Sequence, residues 1–232
     1  MTPPPPPTTI TVTAPPTTVV VTAPPTTIVV TAPPTTAPPA PVSDCTVLGV
    51  DRFGDMELQL SGSSPAPAVA QLEVGFELLD GAGELIVPDF LLIEFAAPGE
   101  GFRLAVETFE PVPSGFDLAS ITCEVTSIDV IELFGDQRLP GPNDSCTVIG
   151  VDDIGDLQLD VTVQNPDAEA ADLIFTYAVR DPQGVRVMSD VAFADGLDPG
   201  QVTPVQVDTL FPPPPGLDPA TLTCDIAGHE LF

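Results

Sequence analysis

The chain has no lysine and no tryptophan, one tyrosine (Tyr177), one histidine (His229) and only five cationic side chains, all arginine, against 34 Asp and Glu. Without lysine, Schiff-base chemistry is closed. A Ser-His-Asp arrangement would rest wholly on His229, which stands close to the last residue and reads as a solvated terminal side chain. With no tryptophan and a single tyrosine the usual stacking platform for a sugar is missing, and phenylalanine serves less well, so paired carboxylates acting on a glycoside are a weak expectation. No Gly-rich phosphate loop is present. The longest apolar runs, such as Phe90-Leu91-Leu92-Ile93 and Val19-Val20-Val21, fall far short of the roughly 20 residues of a membrane span. A basic n-region followed by an apolar h-region is also missing near Met1, so export would require a segment upstream of this chain.

Cations are scarce enough to decide the partner class. The formal net charge is -29, and every acidic residue lies at or after Asp44. A polyanion repels phosphate backbones and anionic headgroups, which excludes nucleic acid as a partner class. The charge suits either attraction to cations and basic surfaces or plain solubility, including in high salt.

What is abundant at the start is proline and threonine. Thr13-Ala14-Pro15-Pro16-Thr17-Thr18 recurs as Thr22-Ala23-Pro24-Pro25-Thr26-Thr27 and as Thr31-Ala32-Pro33-Pro34-Thr35-Thr36. Paired prolines fix φ and push the preceding residue away from helix, so residues 1–43 are expected to form an extended polyproline-II stalk. A plain spacer, O-linked glycosylation of the threonines and a Pro-rich ligand for another protein all fit that composition.

After the stalk the chain repeats itself at an offset of 101 residues, with no gap from Cys45–Cys123 to Cys146–Cys224. Cys45-Thr46-Val47-Leu48-Gly49-Val50-Asp51 matches Cys146-Thr147-Val148-Ile149-Gly150-Val151-Asp152, and Pro98-Gly99 matches Pro199-Gly200. Such duplication marks two structural units. They are placed at 44–134 and 143–232, joined over 135–142 by a linker containing Gly135, Pro140, Gly141 and Pro142 that is expected to let them move relative to each other.

Within a unit the apolar period is two. Leu157, Leu159, Val161 and Val163 alternate with polar neighbours, as do Leu173, Phe175, Tyr177 and Val179, and more weakly Val202, Val205 and Val207. Turn signals separate these runs at Asn165-Pro166-Asp167, Asp181-Pro182-Gln183-Gly184 and Leu197-Asp198-Pro199-Gly200. The expectation is all-β: two tandem immunoglobulin-like β-sandwiches behind the stalk. Tyr177 belongs to the core by its period.

Four cysteines allow three pairings, and the duplication selects Cys45 with Cys123 and Cys146 with Cys224, since each unit must staple itself. Closing a loop of about 80 residues contributes roughly 4.5 kcal/mol in the chain-entropy account. Disulfides place the protein in an oxidising compartment, extracellular or at the cell surface. Zinc would need clustered cysteines, and none stand closer than Cys123 and Cys146. No cofactor is expected. The one metal alternative is calcium at the carboxylates of Asp51 and Asp55, or of Asp152, Asp153 and Asp156, near the first turn of each unit. The competing reading is an Asp-Gly turn in which Asp55 and Asp156 bond local backbone amides.

The run Gly155-Asp156-Leu157 to Asn165, the aromatic strand Phe175-Thr176-Tyr177 before Asp181-Pro182-Gln183-Gly184, and the Leu197-Asp198-Pro199-Gly200 turn resemble the FxLYD-type domain of bacterial envelope proteins. They are also similar to cysteine-bracketed versions in actinobacterial secreted proteins and lipoproteins, where Thr/Pro-rich stalks are common. In the first unit Ser64 replaces Asn165, Phe76 stands for Tyr177, and Asp80-Gly81-Ala82-Gly83 keeps the turn. The resemblance implies an immunoglobulin-like module without catalytic residues, for structural or protein-interaction use. Its partner would be an extracellular protein or a cell-wall component.

Overall fold

The computed structural model describes residues 43–51, 54–109, 111–113, 116–209, 212–213 and 216–231. The expected stalk over 1–43 therefore lies outside the described residues, Ser43 excepted. The described chain is all-β and folds into several sheets. Its strands are β1 (Asp44–Val50), β2 (Met56–Ser63), β3 (Ala70–Leu79), β4 (Leu85–Ala96), β5 (Gly101–Glu107), β6 (Thr122–Ile131) and β7 (Gln137–Arg138) in the first part. They continue as β8 (Ser145–Val151), β9 (Leu157–Gln164), β10 (Ala171–Arg180), β11 (Arg186–Leu197), β12 (Val202–Asp208) and β13 (Thr223–Leu231). Helical structure among the described residues is limited to single 3₁₀ turns at Leu118–Ser120 and Pro219–Thr221, each capped by the side chain of the preceding aspartate. None is long and apolar enough to cross a membrane.

Alternation determines which side chains point inward, because successive residues of a strand face opposite ways. Met56, Leu58 and Leu60 of β2 and Leu72, Val74, Phe76 and Leu78 of β3 are buried in one core. Leu157, Leu159, Val161 and Val163 of β9 and Leu173, Phe175, Tyr177 and Val179 of β10 are buried in a second. Each fully buried side chain of this size contributes about 1.5–3 kcal/mol, so the two cores are the main stabilising term. Of the weaker run on β12, Val207 is buried and Val202 faces solvent.

Pairing follows the same scheme in both halves. β2 pairs with β1 and β5, and β9 with β8 and β12; β3 pairs with β4 and β6, and β10 with β11 and β13. The register shift between Val47 and Gly49 recurs between Val148 and Gly150, and that between Gly75 and Phe76 recurs between Thr176 and Tyr177. Disulfides join Cys45 on β1 to Cys123 on β6 and Cys146 on β8 to Cys224 on β13. Each therefore ties one sheet to another across its core.

The sheets do not stay within the halves. β4-β3-β6 and β12-β9-β8 are three-stranded, while β1-β2-β5 and β11-β10-β13 belong to a single seven-stranded sheet ordered β1-β2-β5-β11-β10-β13-β7. The connection is one parallel bridge between Arg186 and Phe102. Within the segment read as a linker the structure forms a short strand, β7, whose Gln137 and Arg138 pair with Glu230 and His229 of β13. A Gly/Pro-rich segment leaves few apolar anchors, but its backbone groups can still complete an open sheet edge.

Candidate functional site

The most elaborate side-chain chemistry lies where the two halves meet. Arg186 opens β11 and is fully buried. Its Nε donates to Glu100 Oε1 at 2.7 Å and its Nη2 to Glu100 Oε2 at 3.1 Å. The remaining donors reach the backbone carbonyls of Glu94 (2.8 Å) and Phe95 (3.2 Å) and, at 3.4 Å, the Ser189 hydroxyl. All five guanidinium N–H groups thus have an acceptor, which is the condition for burying this cation without a large penalty.

Glu100 stands in the turn between β4 and β5, held there by Gly99 at φ 69° and by the Ala97 N–H, which donates to its Oε2 at 2.7 Å. Arg180, at the end of β10, adds a second cation 2.5 Å from Glu100 Oε1 and grips Asp225 of β13 through Nε and Nη2. Burial pushes the Glu100 carboxyl upward, but the charge and hydrogen bonds of Arg186, the Ala97 amide and Arg180 outweigh it, and the carboxyl titrates below the usual range. Arg180 is depressed by burial and raised more strongly by Asp225 and Glu100. A further pair, Arg103 Nη2 to Asp181 Oδ2 at 3.2 Å, closes the flank, while Asp181 Oδ1 caps the Gln183 and Val185 amides.

Beside the ion pairs lies a small apolar contact. Phe95, with Ala178 and Ala227, forms a third buried cluster, flanked by Val69 and Leu133. Phe95 is the one described non-glycine residue with positive φ, at 50°, and its counterpart in the second half is Gly196, at 63°. An aromatic residue in this left-handed region is strained by about 1–3 kcal/mol and persists only where packing fixes it. The packing is visible at Gly228, where an added Cβ would lie 2.3 Å from the Phe95 ring. Glu94 completes the contact by accepting a 2.6 Å hydrogen bond from the Thr176 hydroxyl.

His229 requires a correction. Read as a solvated terminal residue, it is fully buried on β13, with Nε2 at 2.7 Å from Asp144 Oδ2. Asp144 also accepts from the Gln164 N–H at 2.8 Å and from the Gly141 N–H. Burial raises this carboxyl and the His229 contact with the two amides more than reverses the effect, leaving it below the usual range. His229 Nδ1 has no partner among the described residues. The pair ties Asp144, two residues past the linker, to β13.

The carboxylates considered for calcium are used differently from the expectation. Asp51 Oδ1 accepts from the amides of Gly54 and Asp55, and Asp152 Oδ1 from those of Ile154, Gly155 and Asp156. The capping residue is therefore the first aspartate of each turn, not Asp55 or Asp156, and Asp153 is exposed. No group of three or more His, Cys, Asp or Glu poised to hold a metal is found among the described residues. Tyr177 sits in the second core as its period predicts, and burial, with Asp190, raises its hydroxyl far above the ordinary value. Asn165 is also buried, donating to the carbonyls of Glu169 and Leu197 and accepting from the Asp167 amide.

The junction was hidden from periodicity but left one trace in the repeat. At the offset of 101, Arg186 stands opposite Leu85, Arg180 opposite Leu79, Glu100 opposite Gln201, Phe95 opposite Gly196 and Gly228 opposite Ser127. At these five junction positions the two halves carry different residues. No protein-family model matches the chain, and no curated protein matches it.

Proposed function

We propose that this chain is a noncatalytic extracellular or cell-envelope module in which two tandem immunoglobulin-like β-sandwiches, displayed on a Pro/Thr-rich stalk, serve a structural or protein-interaction purpose. The observation that carries the reading is the use made of scarce cations. Of the arginines described, Arg103, Arg180 and Arg186 are spent on contacts between or beside the halves, and Arg138 on carbonyls of the linker. Rigid placement of one unit against the other is useful when a surface must be presented in a fixed orientation. Two disulfides support the oxidising location. The resemblance to FxLYD-type envelope domains and the repeated Thr-Ala-Pro-Pro units point the same way.

The test is fractionation of the producing cells with peptide mapping of the recovered protein. Recovery from the envelope or medium with both bridges formed is the expected result. Recovery from the cytoplasm with free thiols would remove the extracellular reading.

A further inference from the structure

The junction shows how a sheet face in this protein receives a segment of chain, and on the matching face of the first half only Phe109 approaches among the described residues, its ring 5.8 Å from that of Phe90. In the second half, registers place Phe193, Ile174 and Glu230 in one cross-strand row, Val191, Thr176 and Gly228 in the next, and Ser189, Ala178 and Asp225 in a third. Glu94 and Phe95 cover that face: the ring lies over Gly228 and Ala178, and the carboxylate meets Thr176. In the first half the equivalent rows are Leu92, Glu73 and Asp129; Phe90, Gly75 and Ser127; and Pro88, Glu77 and Glu124. These residues face away from the core, since Leu72, Val74, Phe76 and Leu78 point into it. Phe90 and Leu92 are each 43% exposed.

We propose that this outer face of β4-β3-β6 is a docking surface for a protein segment that carries arginine or lysine beside an aromatic or aliphatic side chain. Two acidic pairs stand directly opposite across β3 and β6, Glu73 with Asp129 and Glu77 with Glu124, and like charges in that position destabilise a sheet. The four arginines described are committed to other groups. A cationic partner would relieve the repulsion, while Phe90 and Leu92 supply apolar area and Gly75 leaves the centre of the face without a side chain. Charge also rejects other occupants. A second copy carries -29 and would bring its own carboxylates to the face, and an anionic membrane is repelled for the same reason.

This inference rests on the reading of the chain as an interaction module, but the two fail separately: cytoplasmic recovery would sink the location and leave the surface untouched. The experiment is amide NMR on the intact, disulfide-bonded chain, titrated with a short synthetic peptide centred on Arg-Phe-Arg. Saturable shifts are expected at Glu73 to Glu77, Phe90 to Leu92 and Ser127 to Asp129. Replacing the peptide's Phe with Gly, or making Glu73→Gln with Asp129→Asn in the protein, should weaken binding about tenfold, and the protein variant should unfold at a higher temperature than the parent. Shifts spread over the whole acidic surface, indifference to either change, or the same amides responding to calcium alone would overturn the proposal.

Discussion

Glu100 and Arg186 face each other across the two halves of the chain as a bidentate pair, 2.7 and 3.1 Å between their polar atoms, with almost no exposure of either side chain. A pair so buried contributes little against an apolar replacement, because desolvation offsets most of the attraction, yet losing one member leaves the other charged and unpaired. Glu100→Gln is therefore expected to destabilise the protein by about 3–5 kcal/mol. Replacing both with apolar residues of similar volume, Glu100→Leu with Arg186→Met, should recover most of that loss. Urea unfolding of the parent and the two variants checks this; a double variant no better than the single one would show that the Glu94 and Phe95 carbonyls, left unpaired, dominate.

The Phe95 contact makes a geometric prediction. Gly228→Ala places a Cβ at 2.3 Å from the Phe95 ring, so ring or strand must shift, at a loss of about 1–3 kcal/mol. Phe95→Gly acts in two opposing ways: it releases the strained φ of 50° and vacates the cluster with Ala178 and Ala227. Lost packing exceeds the released strain, so this variant is also expected to be less stable. Combined with Phe95→Gly, Gly228→Ala should cause much less additional loss, because the atoms it collides with are gone. Additive melting shifts would contradict the contact.

How much of this was legible in the sequence differs by element. The inward sets on β9 and β10 and the bridge partners followed from a period of two and from the duplication, which are local and repeated signals. The buried state of His229 did not, since it depends on β7, a two-residue strand in a Gly/Pro-rich linker that no periodicity marks, and on Asp144, which is 85 positions away. Composition marks both Asp-Gly turns, but the acceptors are Asp51 and Asp152 rather than Asp55 and Asp156, because spacing alone does not say which carboxylate of a turn folds back onto its amides. The junction needed a comparison of the halves for where charge replaces an apolar residue, as Arg186 does Leu85.

The bridges should be unequal partners of the fold. Each closes a loop of the same length, 78 positions, so each stabilises by about 2–5 kcal/mol through the unfolded chain. Cys146→Ala with Cys224→Ala acts on β13, the strand that also carries Asp225 and Gly228 of the junction and His229, the partner of Asp144. Loss of that bridge is expected to loosen the junction as well as the second core, whereas Cys45→Ala with Cys123→Ala should leave the β13 contacts protected. Hydrogen exchange at the amides of β13 distinguishes the two.

Acid should open the junction before it melts the cores. Glu100 and Asp144 both titrate in the folded state below their ordinary range, so their contributions are complete above the unfolded value near 4 and disappear as pH falls through the folded values. Glu230 runs the other way: burial, with Asp136 and Glu94 nearby, raises its folded pKa, so its protonation in mild acid relieves a destabilising charge. The sum predicts slight stabilisation or none as pH first drops below neutrality, followed by a steep loss below about pH 4. Glu100→Gln removes one of the two groups responsible for the steep limb, so its stability should fall less between about pH 5 and pH 3 than that of the parent. Urea midpoints across that range give the comparison; parallel curves for parent and variant would mean that the Glu100 carboxylate does not hold the halves together.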